Sequence, residues 1–262
     1  MHALHTESLS VGYENQIVIK NLNLVIKKGK ITVLIGPNGC GKSTLLKSMA
    51  RILKPKQGQI WVDERALDTY SDKVIAKKLA FLPQEPHCPE GLSISELVAF
   101  GRYPHLRNNE QLHEHDHQII SWALDATGLT ALKYKSVETL SGGQRQRAWI
   151  AMTLAQETDL ILLDEPTTFL DMAYQLEVLD LVERLNREQA KTFVIVLHDL
   201  NLASRFAHEI IGLKDGVIIC QGEPNDVINV QNLQRLYGIK AHLIKHPCLD
   251  YPICLSYEKF EE

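Results

Sequence analysis

Residues 36–44 carry the pattern with the most specific chemistry in this chain. They read Gly36-Pro37-Asn38-Gly39-Cys40-Gly41-Lys42-Ser43-Thr44 and match G-x-x-x-x-G-K-[ST]. Glycines in such a loop let backbone N–H groups turn inward around phosphate oxygens, and a helix that starts there adds partial positive charge. Lys42 is long enough to reach β- and γ-phosphates, and the Ser43 hydroxyl can bind magnesium. The pattern predicts a nucleoside triphosphate site.

A pair of carboxylates follows a short apolar run later in the chain. Leu160-Ile161-Leu162-Leu163 leads directly into Asp164 and Glu165. Four consecutive apolar residues are typical of a parallel strand buried on both faces, and ligands of open α/β sheets bind at the carboxyl ends of such strands. We therefore expect Asp164 to coordinate magnesium through water and Glu165 to polarise the attacking water. Two ordinary surface charges are the alternative interpretation.

Two further positions stand at the ends of predicted strands. Gln84 follows the strand 79–83 and could offer its side-chain oxygen to a metal ion or to attacking water, or be an ordinary loop amide. His198 follows the strand 193–197 and could hydrogen-bond a γ-phosphate. A histidine there could equally cap the helix that starts near Leu200.

An aromatic residue and a serine complete the candidates. Tyr13 ends the first predicted strand, where an exposed ring could stack on adenine, although a tyrosine beside a turn is more often a packing residue. Ser141-Gly142-Gly143-Gln144 precedes an amphipathic run and predicts a helix N-terminus with accessible N–H groups. This start could be a second anion site or a plain N-cap.

The elements that must position these residues alternate between strands and helices, which indicates an α/β fold. Residues 4–26 alternate apolar and polar side chains and predict an antiparallel edge. The remaining predicted strands are 31–35, 59–63, 79–83, 160–163 and 193–197, with a hairpin at 210–222 around Asp215-Gly216. The predicted helices are 44–50, 74–79, 141–155, 175–187 and 226–238.

A helical insertion interrupts this alternation. Residues 85–91 contain two prolines and a glycine and predict a hinge, and residues 93–140 carry helical apolar stripes. We predict one domain over 1–262, with a core of 1–85 and 141–262 and an insertion at 86–140. Within the insertion, residues 107–117 include three alternating histidines. Alternate residues do not share a helical face, so a solvated polar connection is favoured over a metal site.

The bulk composition restricts the class of protein. A net charge of −4 gives no basic footprint for nucleic acid, and no apolar run approaches the roughly 18 residues that span a bilayer. The first residues lack the pattern of a signal peptide, so we expect a cytosolic chain that could still dock onto a membrane protein. Five scattered cysteines without a C-x-x-C pair predict reduced thiols.

The ordered motifs resemble the ATP-binding subunits of ABC transporters over essentially the whole chain. The resemblance implies an ABC-type P-loop NTPase core with an antiparallel β edge and an inserted helical subdomain. It identifies residues 36–43 as the Walker A motif, 140–144 as the signature motif and 160–164 as the Walker B motif. By the same resemblance Gln84 is the Q-loop glutamine, Glu165 the catalytic glutamate, Asp171 the D-loop aspartate and His198 the switch histidine, and Tyr13 stacks on adenine.

The resemblance also implies the cofactors and partners. ATP would be held by residues 36–44 with Tyr13, and by Ser141, Gly142, Gly143, Gln144 and Asp171, while Ser43, Gln84 and Asp164 would hold Mg2+. Glu165, His198, Gln84 and Lys42 would be catalytic. The implied partners are a second copy in a head-to-tail ATP sandwich, polytopic permease subunits and, indirectly, a substrate-binding protein, at the cytoplasmic face of the cell membrane.

Three segments suggest a narrower group. Residues 96–105, 144–152 and 166–171 resemble the ATPases of iron(III)–siderophore and ferric citrate importers. The expected activity is ATP hydrolysis that powers import of an iron chelate, with vitamin B12 or haem import, or an exporter, as alternatives. A soluble ABC ATPase of DNA repair or translation would need a coiled coil or second cassette, and a phosphate-loop kinase would not need the signature motif.

Overall fold

The structure is a computed structural model that describes residues 1–14, 16–107, 110–168 and 170–260. Four residues of predicted segments lie outside the described residues, namely Asn15 of the antiparallel edge 4–26, Asn108 and Asn109 of the polar connection and Phe169 of the segment 166–171. The chain divides into two compact units, Met1–Thr69 with Thr192–Glu262 and Tyr70–Lys191. The boundaries predicted for the helical insertion, 86–140, stay a prediction.

The secondary structure mixes strands and helices throughout. The strands are β1 (His2–Tyr13), β2 (Gln16–Lys27), β3 (Ile31–Ile35), β4 (Gln57–Val62), β5 (Arg65–Ala66), β6 (Leu79–Leu82), β7 (Leu160–Leu163), β8 (Thr192–Val196), β9 (Glu209–Lys214), β10 (Val217–Gly222), β11 (Ile239–Lys245) and β12 (Pro252–Lys259). The α-helices are α1 (Lys42–Met49), α2 (Asp72–Ile75), α3 (Ile94–Ala99), α4 (Glu114–Ala126), α5 (Gly142–Ala155), α6 (Met172–Gln189), α7 (Leu200–Phe206), α8 (Pro224–Val227) and α9 (Val230–Tyr237). Short 3-10 helices cover Leu67–Thr69, Phe100–His105, Thr130–Leu132 and Val137–Thr139.

The first unit contains the predicted antiparallel edge and a set of parallel strands. The edge has the order β2-β1-β4-β5, and the other strands follow one another as β10-β9-β3-β8. β3 runs parallel to both β8 and β9, and every residue of β3 and β8 is buried. This burial explains why both strands are apolar except for one threonine each, Thr32 and Thr192. β9 and β10 form the predicted hairpin, with positive φ at Asp215 and Gly216 as a tight two-residue turn requires.

A C-terminal hairpin, β11 and β12, also belongs to the first unit. The predicted helical tail divides into α8 and α9, and the antiparallel hairpin follows it. Sequence patterning missed this hairpin because both strands are largely exposed, with only Ala241 and Pro252 buried, and so lack clear alternation. The Asn201 side chain ties the hairpin to α7, since its Nδ2 donates to Cys254 O at 3.1 Å and its Oδ1 accepts from the Cys254 N–H at 2.8 Å.

The second unit packs helices α3, α4 and α5 together and pairs β6 with β7 in parallel. The prediction of a helix to Leu79 was wrong, because α2 ends at Ile75 and Leu79 is the first residue of β6. The polar connection ends earlier than predicted. His113 is the N-cap of α4, its N–H donates to Asp116 Oδ2 at 2.9 Å, and His115 and His117 lie in the first turn of that helix.

Several expected absences concern only the described part of the chain. No group of three or more His, Cys, Asp or Glu side chains there could hold a metal ion. The preference for a polar connection over a metal site at 107–117 stays a prediction. All five cysteines are free of disulfides in that part, in line with the prediction of reduced thiols. None of its helices is both long and apolar enough to cross a membrane.

Candidate nucleotide site

The phosphate loop lies in the first unit, between β3 and α1. Gly36, Gly39 and Gly41 have φ values of 147°, 76° and 109°, a backbone region that favours glycine and lets neighbouring N–H groups converge on an anion. α1 begins at Lys42, two residues earlier than predicted, and its N-cap Gly41 has no side chain to bond the first-turn N–H groups. These N–H groups therefore remain suited to phosphate oxygens.

Lys42 is held by the loop itself. Its Nζ donates to Gly36 O at 2.8 Å and to Pro37 O at 3.0 Å, and the residue is only 5% exposed. A buried ammonium needs such partners. A triphosphate that binds here must therefore offer Lys42 at least equivalent oxygens, and charged phosphate oxygens are stronger acceptors than peptide carbonyls.

Cys40 lies inside the same loop. Its Sγ is 3.9 Å from Lys42 Nζ and the residue is buried. Burial raises the pKa of the Cys40 thiol, and this effect outweighs the opposing influence of the Lys42 charge. The thiol is therefore more fully protonated at neutral pH than an exposed cysteine would be.

The tip of the β9–β10 hairpin supports the loop from the side. The Gly216 N–H donates to Cys40 O at 3.1 Å, and Gly216 O accepts from the Lys20 N–H at 3.1 Å. Gly216 is buried, its φ is 79°, and a Cβ at this position would come within 1.8 Å of Val18 O. Only glycine fits between strand β2 and the loop. Sequence analysis identified the turn but not this contact.

Tyr13 and His198 also belong to the first unit. Tyr13 is the last residue of β1 and is 47% exposed, so its ring is accessible for stacking. His198 is exposed directly after the buried Leu197. The alternative that His198 caps the next helix was wrong, because Asp199 is the N-cap of α7 and its Oδ1 accepts from the N–H groups of Asn201 at 2.7 Å and Leu202 at 2.9 Å.

The second unit brings Gln84 and Glu165 together. Leu82 of β6 lies opposite Leu163 of β7, and the Asp164 N–H donates to Leu82 O at 2.9 Å, so both strands end at the same edge. Gln84 Nε2 donates to Glu165 Oε2 at 2.6 Å. Asp164 is 2% exposed, so this carboxylate is not the surface charge of the alternative interpretation.

A tight turn holds Glu165. Its φ of 52° is in the left-handed region that non-glycine residues rarely adopt. The Thr168 N–H donates to Glu165 O at 3.2 Å, and Thr168 Oγ1 donates to Glu165 Oε2 at 3.1 Å. Pro166 follows Glu165 at the position of a turn where proline is favoured. Sequence analysis did not select Thr168, although a hydroxyl three residues after a turn-forming glutamate could have indicated this contact.

The signature segment forms the predicted helix start. Ser141 is the N-cap of α5, its Oγ accepts from the Gln144 N–H at 3.3 Å, and its own N–H donates to Gln144 Oε1 at 3.2 Å. Ser141 and Gly142 are exposed, while Gly143 packs against the Tyr174 ring. The N-cap is confirmed, and the second anion site stays a prediction.

Asp171 also has a structural bond. It is the N-cap of α6, where its Oδ1 accepts from the Tyr174 N–H at 3.0 Å. Contact between Asp171 and a nucleotide stays a prediction, and such a contact would have to coexist with this cap or replace it.

The residues predicted to hold magnesium have suitable chemistry. Ser43, Gln84 and Asp164 supply hydroxyl, amide and carboxylate oxygens, which are the ligands that this hard cation prefers. Asp164 is buried at the end of β7, where a carboxylate benefits from a bound cation. Each of these three donors is chemically suited to magnesium, and their binding of one ion stays a prediction.

Comparison with known proteins decides the family. The model of the ABC transporter family matches residues 19–168, a span that contains the phosphate loop, Gln84, the signature segment and Glu165. The chain belongs to the ABC transporter family. Its catalytic activity is accordingly ATP hydrolysis, and the fold is that of an ABC ATPase cassette.

Curated relatives match over nearly their whole length. The chain is 48% identical over 258 residues to the iron(3+)-hydroxamate import ATP-binding protein FhuC of Bacillus subtilis, covering 98% of this chain and 96% of the relative. It is 44% identical over 250 residues to the ferric enterobactin transport ATP-binding protein FepC of Escherichia coli, covering 95% and 92%.

Solved structures show the same cassette. A chain of an inward-facing ABC transporter assigned to the metal-chelate type is 33% identical, with a TM-score of 0.83 and coverage of 98% of both chains. The dimeric ATP-binding cassette MJ0796, solved in a post-hydrolysis state with ADP and phosphate, is 30% identical, with a TM-score of 0.75 and coverage of 84% of this chain and 98% of the other.

Proposed function

We propose that this ABC ATPase powers an importer for an iron chelate, a ferric siderophore or ferric citrate, at the cytoplasmic face of the cell membrane. The observation that carries the proposal is the near full-length similarity, at 44% to 49% identity, to import subunits named for iron(3+)-hydroxamate, petrobactin and ferric enterobactin. The polytopic permease subunits, and indirectly a substrate-binding protein, are the partners that such an activity requires.

The cargo can be tested in cells that lack the gene for this chain. We expect growth of the deletion strain to fail when a ferric siderophore or ferric citrate is the iron source, and to return when the gene is restored. Free iron at high concentration should support growth of both strains. Loss of growth only on haem or vitamin B12, or hypersensitivity to an exported compound, would contradict iron-chelate import and favour those alternatives.

Each residue of the nucleotide site has a separate role in the proposed hydrolysis. The phosphate loop binds the phosphates of ATP, and Lys42 exchanges the Gly36 and Pro37 carbonyls for phosphate oxygens. Glu165 accepts a proton from the water that attacks the γ-phosphorus, and His198 hydrogen-bonds the γ-phosphate. Ser43, Gln84 and Asp164 would hold magnesium, which would supply positive charge against the phosphate oxygens.

A second copy of the chain completes the proposed site. Ser141 and Gly142 are exposed at the start of α5, where they can face the nucleotide of a partner. The MJ0796 cassette, which is similar to this chain, was solved as a dimer. The movement that closes the dimer would be transmitted to the permease through Gln84 and the hinge at 85–91.

Glu165→Gln tests the assignment of the general base. The variant keeps the size of the side chain and one acceptor oxygen but is a far weaker base, so we expect normal ATP binding and turnover lower by roughly 100-fold or more. Binding and phosphate release would be measured on the same preparation.

The control for this variant is Glu188→Gln, an equivalent change at an exposed carboxylate of α6. It should bind and hydrolyse ATP like the wild type. Wild-type turnover in Glu165→Gln would remove Glu165 from its proposed role.

A further inference from the structure

Two side chains donate to the same oxygen of Glu165. Gln84 Nε2 lies 2.6 Å and Thr168 Oγ1 lies 3.1 Å from Glu165 Oε2. Hydrogen bonds to an ionised carboxylate are stronger than those between neutral groups, and two donors on one oxygen restrict rotation of the carboxylate about its last bond. The orientation of this carboxylate is therefore fixed by the protein.

The two donors differ in how they are connected to Glu165. Gln84 is 81 residues away, and its contact depends on the relative position of β6 and β7. Thr168 is in the same turn, where its N–H also holds Glu165 O at 3.2 Å. A movement that displaces Gln84 can therefore leave the Thr168 bond in place.

The proposed role of Gln84 demands such a displacement or a change of partner. The Gln84 amide donates to Glu165 through Nε2, which leaves its oxygen as the group that could bind magnesium. If the Gln84 side chain moves so that this oxygen reaches the metal, the hydrogen bond from Nε2 to Glu165 must change. A carboxylate that loses an orienting donor during the cycle would rotate more freely, and misplacement of a catalytic group slows a reaction. Thr168 can preserve the orientation throughout.

We propose that Thr168 is a positioning residue for ATP hydrolysis, whose hydroxyl holds Glu165 Oε2 and thereby orients the carboxylate toward the attacking water. The inference rests on the proposed function of Glu165 as general base. Thr168 touches neither nucleotide nor water in this assignment and acts only through Glu165. Its backbone N–H closes the turn, and its hydroxyl sets the direction of the carboxylate.

Thr168→Val tests the hydroxyl with little change in shape. The backbone bond to Glu165 O remains and β-branching is kept, so the turn should still form. We expect kcat of the purified chain with Mg-ATP to fall roughly 10- to 100-fold while KM for ATP stays within about twofold, because orientation of the base matters in the transition state rather than in binding.

Thr168→Ser separates positioning from packing. Serine restores the hydroxyl but not the methyl group, so kcat should return to within about threefold of the wild type. Thr153→Val is the matched control: it also removes a threonine hydroxyl of the second unit, one that bonds Trp149 O at 2.9 Å within α5. This control should keep wild-type kcat and KM.

Each outcome decides the proposal. Normal kcat in Thr168→Val, equal losses in the valine and serine variants, or a raised KM with unchanged kcat would overturn it. Failure of the proposed function is distinguishable, since it would show as wild-type turnover in Glu165→Gln, whatever Thr168→Val does. Failure of this inference alone would leave Glu165→Gln inactive and Thr168→Val fully active.

Discussion

At the scale of single residues, Cys40 shows how burial changes a chemical expectation. A cysteine inside a phosphate loop invites the idea that a thiol reagent would quickly block ATP binding. The structure places the thiol out of solvent and beside Lys42, and burial raises its pKa. Thiolates are the reactive form, so the same residue that lies against the nucleotide is protected from reagents at neutral pH.

We predict that N-ethylmaleimide modifies Cys40 slowly at pH 7 and faster as the pH rises. A raised thiol pKa means that the reactive thiolate fraction grows by about tenfold for each pH unit up to that pKa. Exposed Cys248 should be labelled first. Peptide mapping by mass spectrometry, with ATP binding measured in parallel, gives both rates.

Once Cys40 is labelled, ATP binding should disappear, because the adduct would occupy the interior of the loop. Cys40→Ala should bind ATP and resist the reagent. Intact ATPase activity with Cys40 fully modified, or labelling of Cys40 as fast as Cys248 at pH 7, would contradict the prediction.

At the scale of elements, the buried Arg102 of the 3-10 helix Phe100–His105 bonds α4 and the end of α5 in the second unit. Arg102 is 1% exposed, its Nε donates to Asp116 Oδ1 at 2.8 Å, and its Nη1 donates to Ala155 O at 2.8 Å and to Glu157 Oε2 at 2.9 Å. Asp116 belongs to α4, and Ala155 ends α5. A charge buried this deeply is tolerated because two carboxylates offset it and Nε and Nη1 have acceptors.

Removal of the Arg102 charge should destabilise the second unit. We expect Arg102→Met to lower the free energy of unfolding by about 3–5 kcal/mol, because Asp116 is left as a buried carboxylate without its cation. Urea denaturation measures the change. The control is Lys245→Met, which removes an exposed pair with Asp250 of similar length, 2.7 Å, and should cost less than about 1 kcal/mol. Equal costs for the two variants would contradict the argument.

The same pair predicts a pH dependence. Burial alone would raise the pKa of Asp116, but the His113 N–H and the Arg102 guanidinium outweigh it and hold the pKa below its usual value. A lowered folded-state pKa contributes stability above the unfolded pKa, and this contribution is lost as the pH falls through the folded value.

The difference in unfolding free energy between wild type and Asp116→Asn should therefore be constant near neutrality. It should shrink below the ordinary aspartate pKa of 3.8. Urea titrations at several pH values would measure it. A difference that grows on acidification would contradict the sign of the shift.

The elements also show what sequence patterns can resolve. β3 and β7 were predicted to the residue, because a strand buried on both faces leaves a short run of apolar and β-branched residues with a clear start and end. β11 and β12 were missed, because exposed strands leave no such run. The contact between Gln84 and Glu165 could not be read from either residue, because it arises only when β6 and β7 pair in parallel.

At the scale of the whole molecule, the proposal is that two chains share each nucleotide site. The phosphate loop belongs to one compact unit, and the signature segment, Gln84 and Glu165 belong to the other. Motif recognition from sequence predicted each of these pieces because each has a local pattern. It did not single out Thr168, because the bond from the Thr168 hydroxyl to Glu165 belongs to none of these motifs.

We predict that two inactive variants restore activity when mixed. Lys42→Ala removes the phosphate-loop cation, and Ser141→Arg blocks the signature surface. In a head-to-tail dimer of the two, the intact loop of the Ser141→Arg chain faces the intact signature of the Lys42→Ala chain, so one site should work. ATPase activity of the mixture over a range of concentrations measures this.

Each variant alone should be inactive at every concentration, and wild-type activity per chain should rise with concentration because a lone monomer binds ATP but turns it over slowly. Absence of any recovery in the mixture, with both variants folded, would contradict a site shared between two chains.

The buried glycine at the hairpin tip has a practical consequence for experiments on this chain. By sequence, the Asp-Gly turn between two short strands is an inviting place to insert an epitope tag or a fluorophore. Gly216 nevertheless donates to Cys40 O within the phosphate loop, 176 residues earlier in the chain, and lies against Val18 O. A label inserted there would disable ATP binding, and a reporter of nucleotide occupancy should be attached elsewhere.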